Sequence, residues 1–197
     1  MSARDRILER VREALSDRES AEHPGAFGGW RSTAAPTPVD GLVQLLEAAG
    51  GEVVLQPDVV AAAEWLASFC ADFASSAVGE TVPDSLRPPL PASAPDTAPL
   101  GVSLARGAVA ETGSLIMDAR DGRRAQLLVP THVVFVHTRD VRATLRDALI
   151  ELANDLPSAI GFHSGPSKSA DLGQILVKGV HGPGRLVAVL IASVNAL

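Results

Sequence analysis

Apolar residues recur at helical spacing in three segments near the start of the chain. From Ser2 to Leu15 the apolar side chains fall on one face, and Ser2 is followed three positions later by Asp5, as in a capping box. Thr37 and Asp58 each precede an apolar repeat and are predicted to cap two further helices. The run Glu52 to Leu55 lies between these helices and predicts a strand. This alternation of helix and strand indicates an α/β architecture.

The second half of the chain is dense in strand patterns. The proline-rich stretch from Val82 to Pro99 precedes it and is predicted to be a surface loop. Asp121-Gly122 is typical of a hairpin turn, here leading into a strand at Gln126 to Val129. Asp140 is predicted to cap a helix that ends at Leu152. The other predicted strands are Gly101 to Leu104, Ala108 to Ala110, Ser114 to Met117, Val133 to Val136, Ala159 to Phe162 and Leu186 to Ala192. The last two have the continuous apolar character of buried parallel strands.

The distribution of small and polar residues divides the chain into two parts. Residues 16–38 are rich in Ser, Gly, Pro and Ala, a composition typical of a linker. We therefore predict an N-terminal helix and linker over residues 1–36 and an α/β domain over residues 37–197.

Charge and cysteine content exclude several classes of function. The formal net charge of −6 argues against a nucleic-acid surface, which needs clustered Lys and Arg. Cys70 is the single cysteine, so the chain forms no internal disulfide and lacks the several thiolates that an iron–sulfur cluster normally takes. The charged start has no apolar signal-peptide region, and no apolar run reaches membrane-spanning length. We expect a cytoplasmic protein with no membrane or nucleic-acid partner.

The first candidate site is the segment Ala110 to Ser114, which lies between two predicted strands. A carboxylate such as Glu111, followed by Thr112 and Gly113, is suited to act as a nucleophile or a general base at the mouth of a sheet. A surface glutamate in a turn explains the same residues, because a glutamate near a glycine is a common pattern.

Two glycine-rich loops supply the other candidates. Gly165 to Asp171 offers backbone amides, the hydroxyls of Ser167 and Ser169, and the ammonium of Lys168 at the end of a strand, where ligands bind in open α/β sheets. A polar turn is the alternative. In Gly179 to Gly184, His181 can bind an anion beside Gly182, or be solvated in a tight loop. The five histidines show no recognised metal spacing, so no metal site is predicted.

Three segments together resemble the LUD domain, the family of lactate utilization proteins B and C. They are GVSLARGAVAETGSLIM (Gly101 to Met117), LLVPTHVVFV (Leu127 to Val136) and GPSKSADLGQILVKGVHGPGRLVAVLI (Gly165 to Ile191). The resemblance runs from about Pro99 to the C-terminus and does not extend to Ser16 to Pro99. The short length and the lack of cysteine clusters resemble the C-type members.

The resemblance implies a fold similar to the NagB/RpiA/CoA-transferase group, a three-layer structure whose mostly parallel sheet has helices on both faces. It implies a component of a bacterial system that oxidises L-lactate to pyruvate, with iron–sulfur clusters only on partner subunits. It also implies that Ser167, Lys168, Ser169 and His181 form a small-anion or nucleotide pocket facing Glu111. The predicted ligand-binding residues are Thr112, Gly113, Gly165, Ser167, Lys168, Ser169, Asp171, His181 and Gly182.

Three hypotheses about function follow. The first is an accessory or regulatory component of the lactate-oxidising system. The second is a CoA-transferase-like enzyme that uses Glu111 as its nucleophile, since some enzymes of this fold use a glutamate near a glycine. The third is a ligand sensor without catalysis.

Overall fold

In a computed structural model of the chain, the described residues are 2–16, 37–170, 176–179 and 181–192. The chain divides into two compact units, Met1–Ser32 and Thr33–Leu197. The first contains helix α1 (Ala3–Ser16). Its predicted capping box is confirmed, because the backbone amide of Asp5 donates to Ser2 Oγ at 3.2 Å and that of Ser2 donates to Asp5 Oδ2 at 2.9 Å.

The second unit alternates short strands and helices. Its described helices are α2 (Pro38–Ala48), α3 (Val59–Phe69), α4 (Arg123–Leu127) and α5 (Leu145–Leu152). Its described strands are β1 (Glu52–Gln56), β2 (Ser76–Val78), β3 (Leu100–Leu104), β4 (Gly107–Val109), β5 (Ser114–Asp118), β6 (Thr131–His137), β7 (Val141–Arg142), β8 (Ile160–His163), β9 (Lys168–Ala170), β10 (Leu176–Lys178) and β11 (Arg185–Ile191). Thr37 and Asp58 cap α2 and α3 as predicted, each accepting a backbone N–H three residues on.

The centre of this unit is a five-stranded sheet of order β1-β11-β6-β3-β2, in which every neighbouring pair is parallel. Successive side chains of β6 point to opposite faces. Val133 and Phe135 pack in the core beneath α3, and Val134 and Val136 pack in the core that includes Leu42 and Leu46 of α2. Apolar side chains thus cover both faces of the sheet, which explains the continuous apolar runs. The predicted three-layer α/β fold is confirmed.

A four-stranded sheet of order β7-β4-β5-β8 packs on the α2 side. Strand β8 pairs antiparallel with β5, with His163 opposite Leu115. The prediction of a buried parallel strand at Ala159 to Phe162 is therefore wrong in direction. Phe162 is 38% exposed, because β8 is an edge strand of this smaller sheet and is not buried on both faces.

Two predicted elements around the smaller sheet are also wrong. Asp121-Gly122 leads into α4, because Ala125 and Gln126 are buried there and the Gln126 side-chain amide donates to Asp118 O at 2.8 Å. Helix α5 is capped by Thr144 and not by Asp140, since Val141 and Arg142 are held extended in the parallel strand β7 beside β4.

The proline-rich stretch, predicted to be a surface loop, contributes buried side chains to the core. Val82 and Leu86 are buried beneath α3 with exposures of 2% and 1%. A short 3₁₀ helix, Asp84–Leu86, turns Leu86 inward. The stretch therefore closes one face of the parallel sheet.

Candidate functional site

A cleft of about 580 Å³ opens at the amino ends of β6 and β11, two adjacent strands of the parallel sheet. We call it the glycine-loop cleft. One wall is the segment that joins α4 to β6, and the other is the glycine-rich loop before β11. The lining residues are Leu127, Leu128, Val129, Pro130, Gly179, His181, Gly182 and Gly184.

Backbone hydrogen bonds join the two predicted glycine-rich loops. The amide of Ser167 donates to Pro183 O at 2.7 Å, and the amide of Gly179 donates to Ser167 O at 2.9 Å. A Cβ at Gly182 would lie 3.2 Å from the Cβ of Ser167, so these two residues are in contact. Gly179 has φ +77°, a backbone conformation that glycine adopts at low cost. The structure therefore brings Ser167, His181 and Gly182 to one place.

The Gly165 to Asp171 loop does not follow a strand of the parallel sheet, as the sequence indicates. The segment 165–167 follows β8 of the smaller sheet, and it is fastened to the loop at the amino end of β11. The expected position at the carboxyl edge of the open parallel sheet is therefore wrong, whereas the anion site at Gly165 to Asp171 stays a prediction. The reason is that β8 belongs to a different sheet from β6 and β11.

Lys168 and Ser169 lie in β9, where they pair with β10. The ammonium of Lys168 donates to Ala49 O at the C-terminal end of α2, where a cation satisfies a free helix carbonyl. A Cβ at Gly165 would lie 3.1 Å from the Cβ of Ala49, so Gly165 packs against the same helix end. These three residues are absent from the lining of the glycine-loop cleft, and Asp171 lies outside the described residues.

Glu111 and Gly113 contact helices, and Thr112 contacts the start of β5. Glu111 Oε2 accepts from the backbone amide of Leu145, the first residue of α5, at 2.9 Å. The Oγ1 of Thr112 lies 2.7 Å from Ser114 Oγ. A Cβ at Gly113 would lie 2.6 Å from the Cβ of Leu45, and its φ is +60°, so only glycine fits against α2 here. The carboxylate of Glu111 thus satisfies a free amide at a helix start.

We expect Glu111→Ala to lower the free energy of unfolding by about 1 kcal/mol, because one amide of α5 loses its acceptor. Glu111→Gln retains an oxygen acceptor and is expected to remain within about 0.5 kcal/mol of the wild type. Urea unfolding of the three proteins measures both values. Equal losses in the two variants would show that the charge matters more than the hydrogen bond.

A set of polar side chains, which the sequence patterns did not indicate, is buried around the neighbouring strands β3 and β6. His132 is 0% exposed, and its Nε2 lies 2.9 Å from Ser103 Oγ. Burial, with a smaller contribution from His163, lowers the pKa of His132 to about 3, so its imidazole is neutral. Asp121 is also 0% exposed, and burial raises its pKa. We call Ser103, Asp121, His132 and His163 the buried polar cluster.

A weak signal for this cluster was present in the sequence. His132 directly precedes the apolar run Val133 to Val136, and Ser103 interrupts the apolar residues of β3. Their side chains meet because β3 and β6 are neighbours, with Gly101 opposite His132. Sequence alone does not reveal that pairing, so the two polar residues could not be connected.

Two further properties concern only the described residues. No three His, Cys, Asp or Glu side chains in them lie close enough together to hold a metal ion. None of the helices in these ranges is both long and apolar enough to cross a bilayer.

Comparisons with known proteins identify similar chains. Residues 95–191 match the model of the LUD domain. The chain is 32% identical over 102 residues to lactate utilization protein C 1 of Bacillus mycoides, covering 48% of this chain and 44% of that protein. It is 32% identical over 109 residues to lactate utilization protein C of Deinococcus radiodurans, covering 53% and 51%. The chain therefore spans about half the length of the curated relatives that it matches.

A solved structure shares the fold. The crystal structure of a DUF162 family protein from Deinococcus radiodurans matches with a TM-score of 0.61 at 17% identity, covering 78% of this chain and 96% of that one. The lining of the glycine-loop cleft, Glu111 and the four residues of the buried polar cluster all fall within the matched residues 95–191.

Proposed function

Because residues 95–191 match the model of the LUD domain, we propose that this chain is an accessory component of a lactate utilization system that binds a nucleotide-sized anion in the glycine-loop cleft. In this proposal the oxidation of L-lactate to pyruvate takes place on partner proteins that carry iron–sulfur clusters. The chain's own contribution is ligand binding.

The observation that carries the proposal is the cleft itself. Its volume of about 580 Å³ lies within the range of small-molecule sites and far exceeds what a three-carbon acid fills. The exposed side chains of Leu127 and Leu128 give it one apolar wall, suited to the face of a base. The opposite wall is glycine-rich backbone beside the exposed His181, which leaves room for an anion to approach amides and an imidazole.

One contact and the burial of the single thiol favour the accessory role over the CoA-transferase-like alternative. The Glu111 carboxylate is engaged with the amide of Leu145 at 2.9 Å, a contact that orders α5 and does not present a nucleophile to a ligand. Cys70 is buried, and burial raises the pKa of its thiol, which keeps it protonated at neutral pH. Neither group is poised for covalent or redox chemistry.

We expect a charge placed in the cleft to abolish ligand binding. Leu128 and Leu149 are both 49% exposed, but Leu149 lies on α5, outside the cleft lining. A saturating nucleotide probe such as ADP is expected to raise the melting temperature of the wild type and of Leu149→Glu by about 5 °C. Leu128→Glu should show no rise, because the new carboxylate repels the phosphates.

Growth on L-lactate tests the function itself. A strain that lacks the gene is expected to stop growing on L-lactate while growing normally on glucose, and the wild-type and Leu149→Glu chains should restore growth. Leu128→Glu should restore it poorly. Undiminished growth of the deletion strain on L-lactate would refute the proposed pathway, and full rescue by Leu128→Glu would refute the role of the cleft.

A further inference from the structure

Helix α1 is exposed along its whole length. Every residue of Ala3–Ser16 is exposed in the structure, including four large apolar side chains whose exposed fractions lie between 39% and 62%. These four are Ile7, Leu8, Val11 and Leu15. A helix of 14 residues that buries none of its side chains is only marginally stable in water. The apolar face of α1 therefore gains stability when another surface covers it.

The apolar residues of α1 have the spacing of a coiled-coil seam. Leu8, Val11 and Leu15 lie three and four positions apart, as the a, d and next a positions of a heptad do. The same register places Arg4 at the d position before Leu8. The seam of α1 thus contains three apolar residues and one arginine.

The residues that flank this seam are complementary to a second copy of the same helix. In the same register Asp5 and Arg12 occupy the two e positions, and Ile7 and Ala14 occupy the two g positions. When two helices pair in antiparallel directions, the e residues of one helix face the e residues of the other, and the g residues face g residues. Asp5 of each copy then lies beside Arg12 of the other copy, and Ile7 lies beside Ala14.

Arg4 distinguishes the antiparallel pair from a parallel one. In a parallel pair identical seam positions face each other, so the two Arg4 guanidinium groups would meet and repel. In an antiparallel pair an a position faces a d position, and Arg4 lies beside Leu15 of the other copy. Its aliphatic stem can cover that leucine while the guanidinium stays in water. The charge pattern therefore favours the antiparallel direction, which gives a two-fold symmetric pair.

We propose that α1 is a self-association helix through which two copies of this chain form an antiparallel pair. Leu8 and Val11 of the two copies form the centre of the seam, and the Asp5–Arg12 ion pair forms twice. An anionic membrane is a poorer occupant of the same face, because Asp5 flanks it. The proposal does not depend on the glycine-loop cleft or on the lactate pathway.

Analytical ultracentrifugation of the full chain tests the proposal. Two heptads bury little surface, so we expect a dissociation constant of about 0.1 mM, measured over concentrations from about 10 µM to about 1 mM. Arg12→Glu places only acidic residues at the e positions and should weaken association at least tenfold. Arg6→Glu is the matched control. It makes the same charge change three positions from Glu9, as Arg12→Glu does, but at an f position that faces away from the seam.

A mixing experiment tests the pairing of Asp5 with Arg12 directly. Asp5→Lys gives a chain with two basic e residues, so it should not pair with itself. An equimolar mixture of Asp5→Lys with Arg12→Glu restores opposite charges at both e contacts and should associate at least tenfold more strongly than either variant alone. Loss of the capping carboxylate cannot produce this result, because Arg12→Glu alone retains it in both helices.

Several outcomes would overturn the proposal. The first is a wild-type chain that stays monomeric at about 1 mM, which would leave the apolar face of α1 to a different partner. The second is a dimer that Arg12→Glu does not weaken, or that Arg6→Glu weakens equally. The third is a mixture that associates no better than its two components. Association of the wild type together with recovery in the mixture supports the antiparallel pair.

Discussion

Gly79→Ala is expected to lower the free energy of unfolding by about 3 kcal/mol, a large effect for one methyl group. The added Cβ would come within 2.1 Å of Asp121 Oδ1, and no rotation of the methyl group relieves that overlap. Asp121 cannot move inward freely, because its carboxyl is held by Thr81 and surrounded by buried groups. Either the turn after β2 or the carboxyl must shift.

Urea unfolding of a double-mutant cycle measures this clash. In an Asp121→Ala background the obstructing oxygens are absent, so Gly79→Ala should then cost less than about 1 kcal/mol. The wild-type, both single variants and the double variant complete the cycle. An equal cost of Gly79→Ala in both backgrounds would place the strain elsewhere in the turn.

Acidification is expected to destabilise the protein through His132, with a slope of about 1.4 kcal/mol per pH unit between about pH 6 and 4. The pKa of His132 is lowered to about 3 in the folded chain, while an unfolded histidine titrates near its ordinary value of 6.5. The unfolded state therefore takes up a proton that the folded state does not. The stability contributed by the neutral imidazole is complete above pH 6.5 and is lost as the pH falls toward 3.

Two neighbours of His132 modify the total pH dependence. Burial also lowers the pKa of His163, which adds to the loss of stability in acid. Burial raises the pKa of Asp121, so its contribution has the opposite sign: it is present in acid and is lost as the pH rises through its folded pKa. The overall slope therefore combines groups of both signs.

Comparison with His132→Gln isolates the contribution of His132 to the pH dependence of the unfolding free energy. Glutamine does not titrate, and its amide can hydrogen-bond to Ser103, as the imidazole does in the wild type. We expect the slope of unfolding free energy against pH to decrease by about 1.4 kcal/mol per pH unit in the variant. Chemical unfolding at several pH values measures both slopes. Identical slopes would mean that the imidazole takes up a proton equally well in the folded and the unfolded chain, which would contradict the lowered pKa.

The sequence determined the features that depend on neighbours in the chain. The caps of α1, α2 and α3 were predictable because each capping side chain bonds to an amide only three residues away. The parallel strands β6 and β11 were predictable because both of their faces are buried, which leaves a continuous apolar run. The contact of Ser167 with Gly182 agrees with the expectation that the two glycine-rich loops lie together.

Tertiary structure decided the features that join distant residues. Thr81 and Asp121 are 40 positions apart, Glu111 and Leu145 are 34 apart, and Ser103 and His132 are 29 apart. The direction of β8, the helical state of α4 and the start of α5 likewise depend on which strands lie beside them. Local propensity carries no information about such pairings, because the groups that satisfy each side chain are brought together only when distant strands, turns and helices meet in the folded chain.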